Sequence, residues 1–93
     1  MKTPRFITQA TIEVESDIYF GFYVDIVLDT KEEVWYLWLF HEGYTIKEMI
    51  YGTPVHNYKY KKKHIITLAE IMEDINYHAE QSIPMFIEDY MDC

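Results

Sequence analysis

The chain reads as an α+β domain: a three-stranded antiparallel β-meander, then a short helix, then a long acidic C-terminal helix packed on the sheet (β-β-β-α-α). Three observations predict this. The first 40 residues hold three strand-like runs joined by short polar connections, the first two with one apolar face each and the third apolar on both faces. Apolar residues after Thr67 recur instead with helical period. Finally, 93 residues with 49% hydrophobic and 17% aromatic content leave room for one domain, 1–93, and are too apolar for a disordered chain. A chain of this size buries roughly 65% of the surface its unfolded form exposes, a modest core.

The first strand is expected from Arg5 to Glu15, with Phe6, Ala10, Ile12 and Val14 on one side and Gln9, Thr11, Glu13 and Glu15 on the other. After a tight Glu15-Ser16-Asp17 connection, Ile18, Phe20, Phe22, Val24, Ile26 and Leu28 line one face of a second strand. Tyr19, Gly21, Tyr23, Asp25 and Asp29 line its other face. Asp29-Thr30-Lys31-Glu32 has turn chemistry and leads into Val34 to Phe40, apolar on both faces. The parity of that turn decides which set of the third strand joins which set of the second. An odd loop puts Val34, Tyr36, Trp38 and Phe40 with Phe20 and Phe22, leaving Trp35, Leu37 and Leu39 beside Tyr19 and Tyr23. An even loop exchanges them.

Thr45 followed by Glu48 has capping-box spacing, Gly52 suits a left-handed helix end and Pro54 cannot continue a helix, so a short helix is expected over Ile46 to Tyr51. Val55 to His64 reads as a loop or irregular edge strand. Thr67 and Glu70 repeat the capping-box spacing. Leu68, Met72, Ile75, Ala79, Ile83, Phe86 and Tyr90 then form the core-facing stripe, with Glu70, Glu73, Asp74 and Glu80 roughly opposite. Pro84 should kink or restart this helix, with Ser82 as a new N-cap.

Composition narrows function. Cys93 is the single cysteine, so no internal disulfide forms and a reducing compartment is expected. With no apolar signal region after Met1-Lys2-Thr3-Pro4-Arg5 and no stretch of membrane-span length, the expected location is cytoplasmic, without membrane contact. Sixteen acidic residues against eight basic give a net charge of -8, which disfavours direct nucleic-acid binding, a process driven by Lys and Arg on phosphates. Residues 65–93 hold seven acids and no Lys or Arg, so seven of the eight net charges lie there.

No catalytic, metal or cofactor site is expected. His41, His56, His64 and His78 lack ligand spacing, no Ser or Cys stands in a nucleophile context, and three glycines make no phosphate loop. The doublets Glu73-Asp74 and Glu88-Asp89 are poor acid-base dyads, because adjacent helical residues diverge. Lys61-Lys62-Lys63, flanked by Tyr58, Tyr60, His56 and His64, resembles a minimal single-strand site, but the patch is short in an acidic protein and reads rather as a solvated loop or as lysines pairing with the acidic helix.

Two surfaces remain as candidates for binding a protein partner. The first is the acidic helix face of Glu70, Glu73, Asp74, Glu80, Glu88 and Asp89. Its carboxylates, about 5 to 6 Å apart, match phosphate spacing and suit the basic groove of a nucleic-acid-binding protein. The second is the aromatic sheet face, with Trp35, Tyr19 and Tyr23, which would serve a homo-oligomer or a structural or regulatory subunit. In general character, without a shared motif, the chain resembles the small acidic proteins of phages and mobile elements that inhibit restriction or CRISPR enzymes. That likeness implies a nucleic-acid mimic.

Overall fold

The structure, a computed structural model, describes residues 4–54 and 68–91, with helix side chains from Asp74 onward. Four strands, β1 (Phe6–Glu13), β2 (Phe22–Asp29), β3 (Val34–His41) and β4 (Lys47–Pro54), form one antiparallel sheet in the order β1-β2-β3-β4. They are followed by α1 (Leu68–Phe86), which runs on into a π-helical turn, Ile87–Met91. The expected Val55 to His64 loop, with Lys61 to Lys63, and the Thr67 cap lie outside the described residues.

The expected short helix at Ile46 to Tyr51 is instead the fourth strand. A helix of so few residues cannot recover its nucleation cost alone. Residues 47–54 gain a full antiparallel ladder on β3, from Phe40 opposite Lys47 to Val34 opposite Pro54. Ile, Tyr and Thr in this segment favour that pairing. One extra residue, Ile50, is accommodated between Tyr51 and Met49, where the register shifts. The bulge lets the consecutive Ile50 and Tyr51 both pack against the core.

β2 also begins later than expected, at Phe22, and residues 14–21 form a longer connection. Ser16 Oγ accepts from the backbone amides of Ile18 (3.2 Å) and Tyr19 (3.1 Å), and this local alternative replaces the ladder.

The turn between β2 and β3 has four residues, Thr30 to Glu33, and so the even-parity arrangement holds. Asp29 shapes it by accepting from the amides of Lys31 (3.0 Å) and Glu32 (3.2 Å), and Glu33 closes it with a left-handed φ of 53°. Asp29 therefore lies opposite Val34, Ile26 opposite Leu37 and Val24 opposite Leu39. Phe22, Val24, Ile26, Leu37 and Leu39 form one inner face with Val14, onto which α1 delivers Ile75, Ala79, Ile83 and Phe86, all at most 1% exposed. Phe86 meets Phe22 edge-on at 5.9 Å. The helix stays α-helical through Pro84, where a kink or restart is expected. Pro84 lacks the N–H that the Glu80 carbonyl would accept, and both residues are exposed, so the lost bond falls on the outer side of the helix.

No described element packs on the other sheet face. Among the described residues its cover comes from its own side chains. Tyr23 stacks on Phe40 (5.6 Å, 21°), and Lys47 reaches over the Phe40 ring, 4.4 Å from its centre, to pair with Asp25 at 2.6 Å. Thr11 donates its hydroxyl to the same carboxylate. Arg5 forks onto both oxygens of Asp29 at 3.2 and 3.1 Å. Asp25 and Asp29 are thus buried yet paired, as a buried charge must be. Gly52 lies under Tyr36: a Cβ there would come within 2.9 Å of the ring.

Candidate functional site

Of the acidic candidates, Asp74, Glu80, Glu88 and Asp89 are all exposed, whereas the Glu70 and Glu73 side chains lie outside the described residues. Among the described residues, none of these four carboxylates makes a salt bridge. The two that form join Arg5 to Asp29 and Lys47 to Asp25, on the sheet face away from the helix. The four nevertheless do not make one unbroken row. Asp74, Tyr77, Gln81, Met85 and Glu88 follow at three- and four-residue steps, so they share one stripe of the helix. Tyr77 is 63% and Met85 56% exposed. The acids therefore bracket a neutral, partly apolar centre, while Glu80 borders a shallow hollow with Ser16, Asp17, Ile18 and Tyr19 of the β1–β2 connection.

The aromatic candidates are divided between the two faces of the sheet. Trp35 and Tyr19 are half-buried on the inner face and pack against the core, Tyr19 meeting Phe22 edge-on at 6.2 Å. Leu37 and Leu39, expected beside them, are buried under α1. Tyr23 is on the opposite face. Its hydroxyl donates to Glu42 at 3.4 Å, and the negative charges of Glu13 and then Glu42 hold its pKa above the ordinary phenol value. Trp35, Tyr19 and Tyr23 therefore do not form one contact surface. The outer aromatic set is Tyr23, Tyr36, Trp38 and Phe40, all half-buried.

Sequence reasoning missed a third place. Ile18 and Phe20, expected as inward strand residues, are 73% and 74% exposed, and Tyr44 and Ile46 on the β3–β4 connection are each 41% exposed. The two connections meet through His41. Its Nδ1 accepts from the Gly43 amide at 3.0 Å, which leaves Nε2–H to donate to the Phe20 carbonyl at 3.1 Å. Tyr44 packs edge-on against the same imidazole at 5.7 Å. The available signal was the Ser16-Asp17 pair, whose local hydrogen bonding ends strands.

His78 is stacked on Tyr51 at 4.0 Å, and His56 and His64 lie outside the described residues. Among the described residues no three His, Cys, Asp or Glu side chains gather as a metal site, and no helix is long and apolar enough to cross a membrane. Comparison with protein-family models, with curated proteins and with solved structures gave no match to this chain.

Proposed function

We propose that this chain is a non-enzymatic interaction module that lays its acidic helix face on the basic, nucleic-acid-binding surface of another protein. It would act as an inhibitor in the manner of an anti-restriction or anti-CRISPR nucleic-acid mimic. One observation carries the reading: the exposed carboxylates of Asp74, Glu80, Glu88 and Asp89 have no described counter-charge, while Arg5 and Lys47 are committed to the far face. Uncompensated charge on a rigid helix strengthens encounter with a surface of opposite sign. Tyr77 and Met85 between the acids add residue types enriched at protein interfaces.

The test is to isolate the bound protein from the native host and titrate it with this chain in the presence of duplex DNA or single-stranded RNA. Competition is expected, with affinity falling steeply as salt rises, since exposed charges are screened over about 8 to 10 Å. Replacing Asp74, Glu80, Glu88 and Asp89 by their amides should slow association and leave the fold intact. A variant that binds as fast and as tightly as the parent chain refutes the reading.

A second reading is self-association through the outer sheet face. It is favoured by the half-buried Tyr36, Trp38 and Phe40 and the 49% exposed Met49, on which no described element packs. Light scattering separates the two, because a strict monomer at high concentration removes the second.

A further inference from the structure

The end of the sheet formed by the β1–β2 and β3–β4 connections is built to hold large apolar side chains out in water. Ile18 and Phe20 are the most exposed large hydrophobic residues described, at 73% and 74%. Between them Tyr19 turns inward onto the core. The backbone that presents them is tied at five points. Ser16 Oγ takes the Ile18 and Tyr19 amides, the Glu15 amide donates to Asn76 Oδ1 of α1 at 3.1 Å, and His41 holds the Phe20 carbonyl. Gly21 adopts φ 77°, and its carbonyl accepts from the Glu42 amide at 2.9 Å. A Cβ at Gly21 would sit 2.7 Å from His41 Nε2. Folding gains nothing from fixing two greasy side chains outward, whereas binding does, because the ordering cost is then met beforehand.

The surroundings decide the occupant. Glu13, Glu15, Asp17 and Glu42 are exposed around this tip, Glu80 borders the hollow beside Ile18, no Lys or Arg occurs from Phe6 to Thr30, and Lys47, at the end of the β3–β4 connection, is neutralised by its pair with Asp25. Such a rim repels nucleic acid, an anionic bilayer and the same rim of a second copy. We infer that Ile18, Phe20 and Tyr44 form an apolar anchor for a polypeptide surface whose aliphatic stripe is bordered by lysines or arginines. The inference rests on the reading above in that the partner is the same basic protein, and it names a second contact on it. The anchor adds apolar burial to that of Tyr77 and Met85 on the acidic face.

The experiment follows backbone amides of the full, ¹⁵N-labelled chain by NMR. The probe is an amphipathic helical peptide of leucines and lysines. Amides of residues 15–21 and 41–44 are expected to shift together and to saturate. Ile18→Ser and Phe20→Ser should each weaken the peptide by about tenfold, the scale of one large side chain's burial. Phe6→Ser, at the other end of the sheet and 53% exposed, should leave it unchanged. Preserved amide dispersion shows that each variant is folded. Shifts confined to residues 74–91, with both serine variants binding as the parent does, overturn the anchor and leave the acidic-face reading standing. Shifts confined to the tip do the reverse. The anchor also falls if a leucine–glutamate peptide or phosphatidylcholine vesicles give the same response. Shifts that appear with the chain's own concentration alone, or no binding below about 1 mM, overturn it too.

Discussion

Ile75 tests whether α1 is seated as described. It is 1% exposed and belongs to the same buried cluster as Val24, Leu39 and Phe86. Ile75→Ala deletes three carbons, worth about 2.4 kcal/mol at about 0.8 kcal/mol per buried methylene. The residual cavity adds to this, and the better helix propensity of alanine returns less than about 0.7 kcal/mol. A net loss of about 2 to 4 kcal/mol is expected, against a total stability of about 5 to 14 kcal/mol for a domain of this length. With a urea slope near 1.5 kcal/mol per M, the midpoint should fall by about 2 M at unchanged slope. Helical circular dichroism and tryptophan fluorescence should report the same transition. Tyr77→Ala, at a position 63% exposed, is the control and should stay within about 0.5 kcal/mol of the parent. A midpoint shift below about 0.5 M for Ile75→Ala would mean that another side of the helix faces the sheet, and the assignment of the acidic face would fall with it.

Two further perturbations probe the sheet. The hydrogen-bonded Arg5 guanidinium, opposed by burial and aided by the Glu32 and Lys31 amides, holds the Asp29 carboxyl below its ordinary value of 3.8. Since the folded-state pKa lies below the unfolded one, Asp29 stabilises fully above the unfolded value and this contribution is lost as pH falls through the folded value. Asp29→Asn should lower the melting temperature at neutral pH and flatten its decline in acid, and an undiminished acid dependence in thermal melts would refute the role. Gly21→Ala places a side chain at φ 77° and 2.7 Å from His41 Nε2. A loss of about 1 to 3 kcal/mol is expected, measured by denaturant unfolding, and a neutral result would mean that the two connections are not held together as described.

How far the residues announced this structure depends on whether the signal was local. Strand β3 and the helix stripe of Ile75, Ala79, Ile83 and Phe86 were legible, the first as a short unbroken apolar run bounded by turn residues and the second as a stripe of helical period. β4 was not. Thr45, Glu48 and Gly52 imitate a capped helix, and the bulge at Ile50 breaks the alternation that would have betrayed a strand. The side on which Tyr36, Trp38 and Phe40 lie rested on the length of the turn after Asp29, which the sequence left open between odd and even. At the candidate surface, composition revealed the acids of the helix but not Tyr77 and Met85 lying between them. Ile18 and Phe20 kept the strand alternation through a segment that leaves the sheet, because the Ser16 hydroxyl captures its amides.

The Lys47–Asp25 pair joins an edge strand to the second strand of the sheet over the top of the third. Peeling β4 away would strip the counter-ion from a carboxylate that is 4% exposed, so fraying at this edge carries an electrostatic penalty beyond its broken ladder bonds. Near Lys47, β4 amides should therefore exchange with solvent more slowly than its edge position suggests. Exposed strand edges are where β-sheet proteins pair with other chains and aggregate. Neutralising Lys47 would loosen that edge and raise the risk of aggregation without removing a single core contact.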